Sequence, residues 1–407
     1  MSLCTFTLDN GLRVVFLQSY AHVIYSGIIV NVGTRNELPE QNGMAHFMEH
    51  MSFKGTGKRS AWNILNRMEV VGGDLNAFTT KEDTVYYCAS LERDFERAAE
   101  LLGDIVFNST YPQSEIDKEV GVIVDEIRSY QDSPSELIFD DFEALLFKGT
   151  PLAGQILGTE ERLLTYGTGQ ARAFADTFYN PSNAVFFVYG DIERKRVESA
   201  AAKYLSHYAD LVSQRPEPAG PGVYVPQNVR LNKDTHQAHV MIGARGVGGR
   251  HESRLGLYLL NNVLGGPGMN SRLNLSMRER AGLVYNVESN VSSYSDTGVF
   301  CIYFGCDIKD TDRCHRMAVK ELDRLCQDGL SDAQLRAAKK QLIGQLGVSS
   351  DGFENVALGL GKSWLHYGDY QTFSTLTEQI NELSREQLLD IAQSIFNPDK
   401  LTTLIYN

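Results

Sequence analysis

Apolar residues recur along the chain with two different periods. Residues 12–17, 23–30, 85–89, 184–189 and 238–244 are short runs rich in Val, Ile, Phe and Tyr, the composition of strands. Residues 12–17 and 23–30 read as a pair. Longer segments return an apolar residue every three or four positions: 61–71, 95–107, 114–127, 256–264 and 330–346. That spacing gives a helix one apolar stripe. Within 114–127 the stripe is Ile116, Val120, Ile123, Val124 and Ile127. Strands alternating with long amphipathic helices predict an α+β fold, with helices covering one face of a mainly antiparallel sheet.

The pattern also repeats. Residues 214–227 hold four of the 11 prolines and two glycines, which marks a linker. The expected domains are therefore 1–213 and 228–407, joined by 214–227. Strand 23–30 is followed by Gly33-Thr34-Arg35-Asn36-Glu37, and strand 238–244 by Gly248-Gly249-Arg250-His251-Glu252. Both pentapeptides read Gly-x-Arg-x-Glu, and an apolar helix follows each. A duplicated domain explains this: two homologous α/β-roll domains, each a mainly antiparallel sheet covered by helices.

Composition narrows the function. A hydrophobic content of 43% is that of a globular protein. No apolar run reaches the roughly 18 residues of a membrane-spanning helix. Met1-Ser2-Leu3-Cys4-Thr5-Phe6 shows neither a basic n-region nor an apolar h-region, so no secretory signal is expected. The six cysteines (Cys4, Cys88, Cys301, Cys306, Cys314 and Cys326) match neither a zinc knuckle nor a disulfide scaffold. Reduced thiols in a cytoplasmic protein are the expectation. A net charge of -13 argues against nucleic acid, whose phosphates need a basic surface. It permits a preference for basic peptides.

The chemistry concentrates in Gly43-Met44-Ala45-His46-Phe47-Met48-Glu49-His50-Met51. On a helix, His46 and His50 stand one above the other, with Glu49 beside His50. The apolar neighbours predict a buried helix, and buried histidines and glutamates need partners. A metal ion with its bound water would satisfy all three. This H-x-x-E-H order is the inverzincin signature. A catalytic zinc takes a third protein ligand. Glu119 and Glu126, seven apart on one face of helix 114–127, suit one ligand and one supporting acceptor. The helix pattern leaves open which is which, and places Glu115 and Asp125 on a solvated face. In the second half, an ungapped count sets Asn261, Leu264 and Gly265 opposite His46, Glu49 and His50. A connection shorter by three sets Tyr258, Asn261 and Asn262 there. Neither set binds zinc, so one copy carries the metal and the other does not.

The motif and its surroundings resemble the pitrilysin and mitochondrial-processing-peptidase family of zinc metallopeptidases. Glu126 stands 76 positions after His50, the spacing of that family's third ligand, and Glu119 matches its second glutamate. The resemblance covers essentially the whole chain. It includes the opening hairpin at 10–15, the approach at 33–37, the edge strand at 72–79, the glycine-rich loop at 264–269 and the stretch Arg278 to Tyr285.

The resemblance implies His46, His50 and Glu126 as ligands of one zinc per chain, with Glu119 in support. Metal-bound water is then the nucleophile and Glu49 the general base. An edge strand pairs with an extended peptide through main-chain hydrogen bonds. Gly73, Asn76 and Ala77 are the implied substrate contacts. Arg278 and Tyr285, seven apart in the non-metal half, are implied catalytic aids. Gly265, Gly266 and Gly268 suit a flexible loop near the substrate, or a turn. The implied activity is endopeptidase hydrolysis of peptides or unfolded segments. Family members close four such domains into a chamber, and this chain supplies two. The implied partner is a second copy or an inactive homologue. A non-catalytic assembly subunit, like the core subunits of the respiratory cytochrome complex, is the alternative; the intact motif weighs against it. His236 and His239 fall on opposite faces of a strand. His22, His207, His251, His315 and His366 stand alone.

Overall fold

The computed structural model describes residues 2–210 and 216–407. The expected boundary at 213 and the first two linker positions, 214 and 215, lie outside the described residues. The first sheet contains β1 (Leu3–Thr7), β2 (Arg13–Gln18), β3 (Val23–Val30), β4 (Asp74–Thr79), β5 (Thr84–Leu91) and β6 (Ala184–Gly190), in the order β1-β2-β6-β3-β5-β4. The second contains β7 (Asn228–Leu231), β8 (Ala238–Gly246), β9 (Val284–Ser293), β10 (Gly298–Cys306) and β11 (Thr402–Tyr406), in the order β7-β11-β8-β10-β9.

Without β1, the two orders superpose strand for strand. The single parallel pair falls at the same place in each, β2 with β6 and β7 with β11. The duplication read from the pentapeptides is thus a duplication of topology. One pairing differs from expectation. β2 and β3 are not neighbours, because β6 lies between them, parallel to β2 and antiparallel to β3. β2 pairs instead with β1, as a hairpin around Asn10-Gly11. A long helical excursion precedes β6, and such a crossover is what parallel pairing requires.

Both faces of each sheet are covered, not one. On one face of the first sheet, Phe16, Ile24, Ile28 and Phe186 share a core with Phe47 and Met48 of the motif helix Met44–Ser52 and with helix Phe95–Phe107. On the other face, Val15, Ile29, Val185 and Phe187 pack with Ala357, Leu360 and Leu365 of helix Phe353–Tyr367. The second sheet has the same plan. Val240, Ile242 and Phe300 face helix Arg254–Gly265, while Met241, Val299 and Leu404 face Ile138, Phe142 and Leu146 of helix Pro134–Leu146. Strands buried on both faces read as continuous apolar runs, and all seven residues of β6 are buried.

The compact units are consequently not the contiguous halves 1–213 and 228–407. Residues 129–153 belong to the unit of the second sheet, and 349–370 to that of the first. Each sheet needs a cover on its second face, and the covering helix comes from the other half of the sequence. No described helix is long and apolar enough to cross a membrane.

Candidate metal centre

The motif helix begins at Gly43, whose backbone is left-handed at φ +86°. A Cβ at Gly43 would stand 2.7 Å from Gly158 Cα, so only glycine fits this start. The first N–H groups of a helix lack partners within it. Glu37 supplies them: its carboxylate accepts from Gly43 N–H at 2.9 Å and from Ala45 N–H at 2.8 Å. Burial pushes this carboxyl up to about 8, against the pull of those two donors and Lys81. Arg35, also buried, pairs with Glu82 at 2.7 Å in the turn between β4 and β5. The Gly-x-Arg-x-Glu pentapeptide therefore ties the start of the motif helix to the end of the edge strand. Sequence reasoning saw the pentapeptide as a repeat and missed both jobs.

His46 and His50 present Nε2 to one point. Glu126, on helix Gln113–Gln131, brings Oε2 to 3.9 Å from His46 Nε2 and 3.6 Å from His50 Nε2. Among the described residues, these three form the group able to hold a metal, with ligand atoms within 4.8 Å of one another. Ligand atoms on a tetrahedral zinc at about 2.0–2.1 Å stand about 3.3–3.5 Å apart. The separations need only a slight inward movement. Two imidazoles and a carboxylate are also a known catalytic zinc donor set.

Protonation suits the same task. Burial, helped by His50, lowers the His46 pKa to about 3, so its ring is neutral near pH 7. Among the described residues His46 Nδ1 has no hydrogen-bond partner; packing alone holds that ring. His50 is held from behind, its Nδ1 lying 2.9 Å from Glu119 Oε1. That contact fixes the tautomer and leaves the Nε2 lone pair free to bind a metal. Lys54 Nζ lies 2.6 Å from Glu119 Oε2. Burial raises the Glu119 pKa, but His50 and Lys54 outweigh it and hold the carboxyl below its ordinary range. The two acids left open by the helix pattern thus separate in space: Glu126 faces both Nε2 atoms and Glu119 backs one ring. Glu115 and Asp125 sit on the solvated face, beside Lys118 and Arg128.

Glu49 lies alongside. Its Oε2 accepts from the Thr79 hydroxyl at 2.6 Å, so the last residue of β4 orients it. Burial pushes the Glu49 carboxyl up, Thr79 and His50 pull it down, and Glu126 adds to the rise. Among the described residues, β4 is an edge strand whose one partner is β5. Asn76 is exposed on it, with its Nδ2 on Asp74 Oδ2 at 2.9 Å, and Ala77 is half-buried. Gly73, the third implied substrate contact, lies differently. It is buried in the turn before β4, its N–H donates to Met68 O at 3.0 Å, and an added Cβ would meet Met68 at 2.9 Å. That turn uses up its donor.

Arg278 and Tyr285 lie in the second unit. Arg278, on the π-helical turn Asn274–Glu279, lines a cleft of about 300 Å³ with Asn261 and the glycine loop 265–269. Tyr285, on β9, is 91% exposed and so is not a core aromatic. Two of the remaining histidines are structural: buried His239 meets Tyr303 at 2.9 Å, and His366 is not alone but bonds Asp83 at 3.0 Å.

A duplicated α+β frame whose one copy converges two imidazoles and a carboxylate, with another carboxylate at hand, defines a zinc metallopeptidase class. Comparison with known proteins agrees. Residues 13–160 match the model of Insulinase (Peptidase family M16), and residues 168–342 that of the Peptidase M16 inactive domain. A Bacillus subtilis (strain 168) protein named as an uncharacterized zinc protease is 33% identical over 404 residues, covering 98% of this chain and 97% of its own. A Streptomyces coelicolor protein of the same description is 31% identical, covering 96% of this chain and 86% of its own. In fold, a Helicobacter pylori protease superposes with a TM-score of 0.93 at 22% identity, covering 100% of this chain and 99% of that one. A Pseudomonas fluorescens peptidase M16 inactive domain superposes at 0.89 and 20%, covering 100% and 98%. The chain belongs to peptidase family M16, the pitrilysin-like zinc metallopeptidases.

Proposed function

We propose that the protein is a zinc-dependent endopeptidase that hydrolyses peptides or unfolded segments laid along β4. The convergence of His46 Nε2, His50 Nε2 and Glu126 Oε2, with Glu49 beside them, carries this reading. A zinc ion held there, one per chain, would supply Lewis acidity and acidify a water. The rest falls to the chain's own groups. Glu49, raised by burial and steadied by Thr79, takes a proton from the attacking water and delivers it to the leaving amine. Glu119 and Lys54 keep His50 in its ligand tautomer. Asn76 and Ala77 offer an extended substrate the free edge of β4. Arg278 and Tyr285, both exposed, are assigned to the substrate carbonyl or backbone.

The active form in this reading is a dimer enclosing a chamber, with a second copy or an inactive homologue as partner. Incubating the purified chain with a mixed peptide library, with and without chelator, tests the reading by mass spectrometry. Internal cleavages that vanish with chelator support it. Tight zinc binding without any cleavage, under conditions where the dimer forms, overturns it in favour of an assembly role.

A further inference from the structure

Helix Phe353–Tyr367 places charges behind the first sheet as well as apolar cover. It lies close against the strands: a Cβ at Gly361 would stand 2.7 Å from both Ile29 and Phe187. The next residue, Lys362, makes two contacts with the hairpin of β4 and β5. Its Nζ lies 4.9 Å from the centre of the Phe78 ring, near the end of β4, and 3.1 Å from Asp83 Oδ1, in the turn. His366, about one helical turn further on, brings Nε2 to 3.0 Å from Asp83 Oδ2. Asp83 is buried. Burial raises its pKa, but His366 and Lys362 outweigh that and hold the carboxyl below its ordinary range. Burying an ion pair adds little stability over apolar residues of similar volume. A helix that served only as cover would need no such charges.

Neighbours on a strand point to opposite faces of the sheet. Phe78 packs on the face that this helix covers, with Val15, Val185 and Phe187. Thr79 reaches Glu49 on the other face at 2.6 Å. The turn that follows Thr79 is short and braced. The Thr80 hydroxyl accepts from the N–H groups of Glu82 and Asp83 at 3.2 and 3.1 Å, and Thr80 N–H donates to Asp83 O at 2.8 Å. A hold on Asp83 is therefore carried to Thr80 and so to Thr79. We propose that Asp83 and Lys362 are positioning residues for Glu49: from behind the sheet they fix the end of β4, which keeps the Thr79 hydroxyl on the Glu49 carboxyl. The inference rests on the reading of Glu49 as general base. Hydrogen bonds fail beyond about 3.5 Å, so a shift of about 1 Å at the strand end releases Glu49. A helix from the second half of the sequence thereby acts on the chemistry of the first.

Steady-state kinetics on the full, zinc-loaded chain test this, with a peptide drawn from the library above. Asp83→Asn keeps the shape and removes the charge. Its kcat should fall by about three- to ten-fold while KM stays within about two-fold and zinc content holds. A residue that only stabilised the fold would lower the melting temperature and leave the kcat of the folded chain alone. Lys362→Gln changes a side chain that is 32% exposed, so the core survives, and kcat should fall in the same way. Lys362→Arg keeps the charge and should return kcat to within about two-fold of wild type. If circular dichroism shows Asp83→Asn unfolded, the two Lys362 variants decide alone. On a Thr79→Val background the contact is already gone, so Lys362→Gln should cost less than about two-fold more. An unchanged kcat in either folded variant, or an equal loss on the Thr79→Val background, would overturn the proposal and leave the peptidase reading standing. A wild-type chain without chelator-sensitive cleavage would overturn both.

Discussion

In the proposed mechanism, one hydroxyl contact sets how Glu49 behaves as a base. Thr79 donates to Glu49 at 2.6 Å and lowers a pKa that burial raises. Thr79→Val removes that donor, so the Glu49 carboxyl should ionise at higher pH. The acid limb of the kcat/KM profile should then move upward in pH, with the rate on the plateau down by about ten-fold or more. Zinc content should not change. An unmoved acid limb would show that Thr79 does not act on the base. In the same reading, Glu119 acts on the metal through His50 instead. Glu119→Gln keeps the shape but weakens the hold on His50 Nδ1, and zinc affinity should fall by about 10–100-fold, read by competition with a chelator of known strength. Unaltered affinity would leave Glu119 a mere partner of Lys54. At this scale the sequence was legible where the groups of the candidate centre sit at fixed spacing along one helix: His46, Glu49 and His50 in the motif, Glu119 and Glu126 seven apart. It was opaque where a contact crosses between elements. Nothing in the spacing of Glu37 or Thr79 announces that one caps the motif helix and the other grips Glu49. Nor does the sequence show that Gly73 N–H is taken by the turn: a turn donor and a free donor look alike in sequence.

Helices Phe353–Tyr367 and Pro134–Leu146 do the same job on different sheets. Each lies on the face opposite its sheet's main helical layer. Leu360 is fully buried among Val15, Ile29 and Phe187, so Leu360→Ala removes apolar contact and leaves a cavity. The expected loss is about 2–5 kcal/mol in chemical denaturation. A loss within about 0.5 kcal/mol, the range of surface substitutions, would mean that this helix covers the sheet without stabilising it. Most elements could be read beforehand. Helix Phe95–Phe107 and β3 fall where period alone sets them, and β6 shows the unbroken apolar run of a doubly covered strand. Helix exchange could not be read, because an amphipathic stripe states that a helix covers something and not which sheet it covers. The insertion of β6 between β2 and β3 was hidden for a similar reason: strand content is local, strand order is not.

The whole molecule follows from that exchange. The first sheet's unit is assembled from residues 1–128, 154–219 and 349–370. A fragment ending at 210 keeps every strand of that sheet but loses helix Phe353–Tyr367, leaving Val15, Val85, Val185 and Phe187 without their cover. Large uncovered apolar patches drive association. The fragment should therefore aggregate or bind a hydrophobic dye, and a monomeric fragment with a sharp unfolding transition would contradict the exchange. The duplicated topology was foreshadowed by two pentapeptides, and the division of labour by the apolar helix after the second of them, where neither register considered, Asn261-Leu264-Gly265 nor Tyr258-Asn261-Asn262, makes a zinc-binding set.

The centre itself is tested most directly by measuring zinc content and peptide hydrolysis together, on the wild-type chain and on Glu49→Gln. His46, His50 and Glu126 are untouched in the variant, so both proteins should hold one zinc per chain, while the variant's rate falls by about 10²–10⁴-fold. A wild-type chain that takes up no zinc, or a Glu49→Gln chain that cleaves at the wild-type rate, would contradict it.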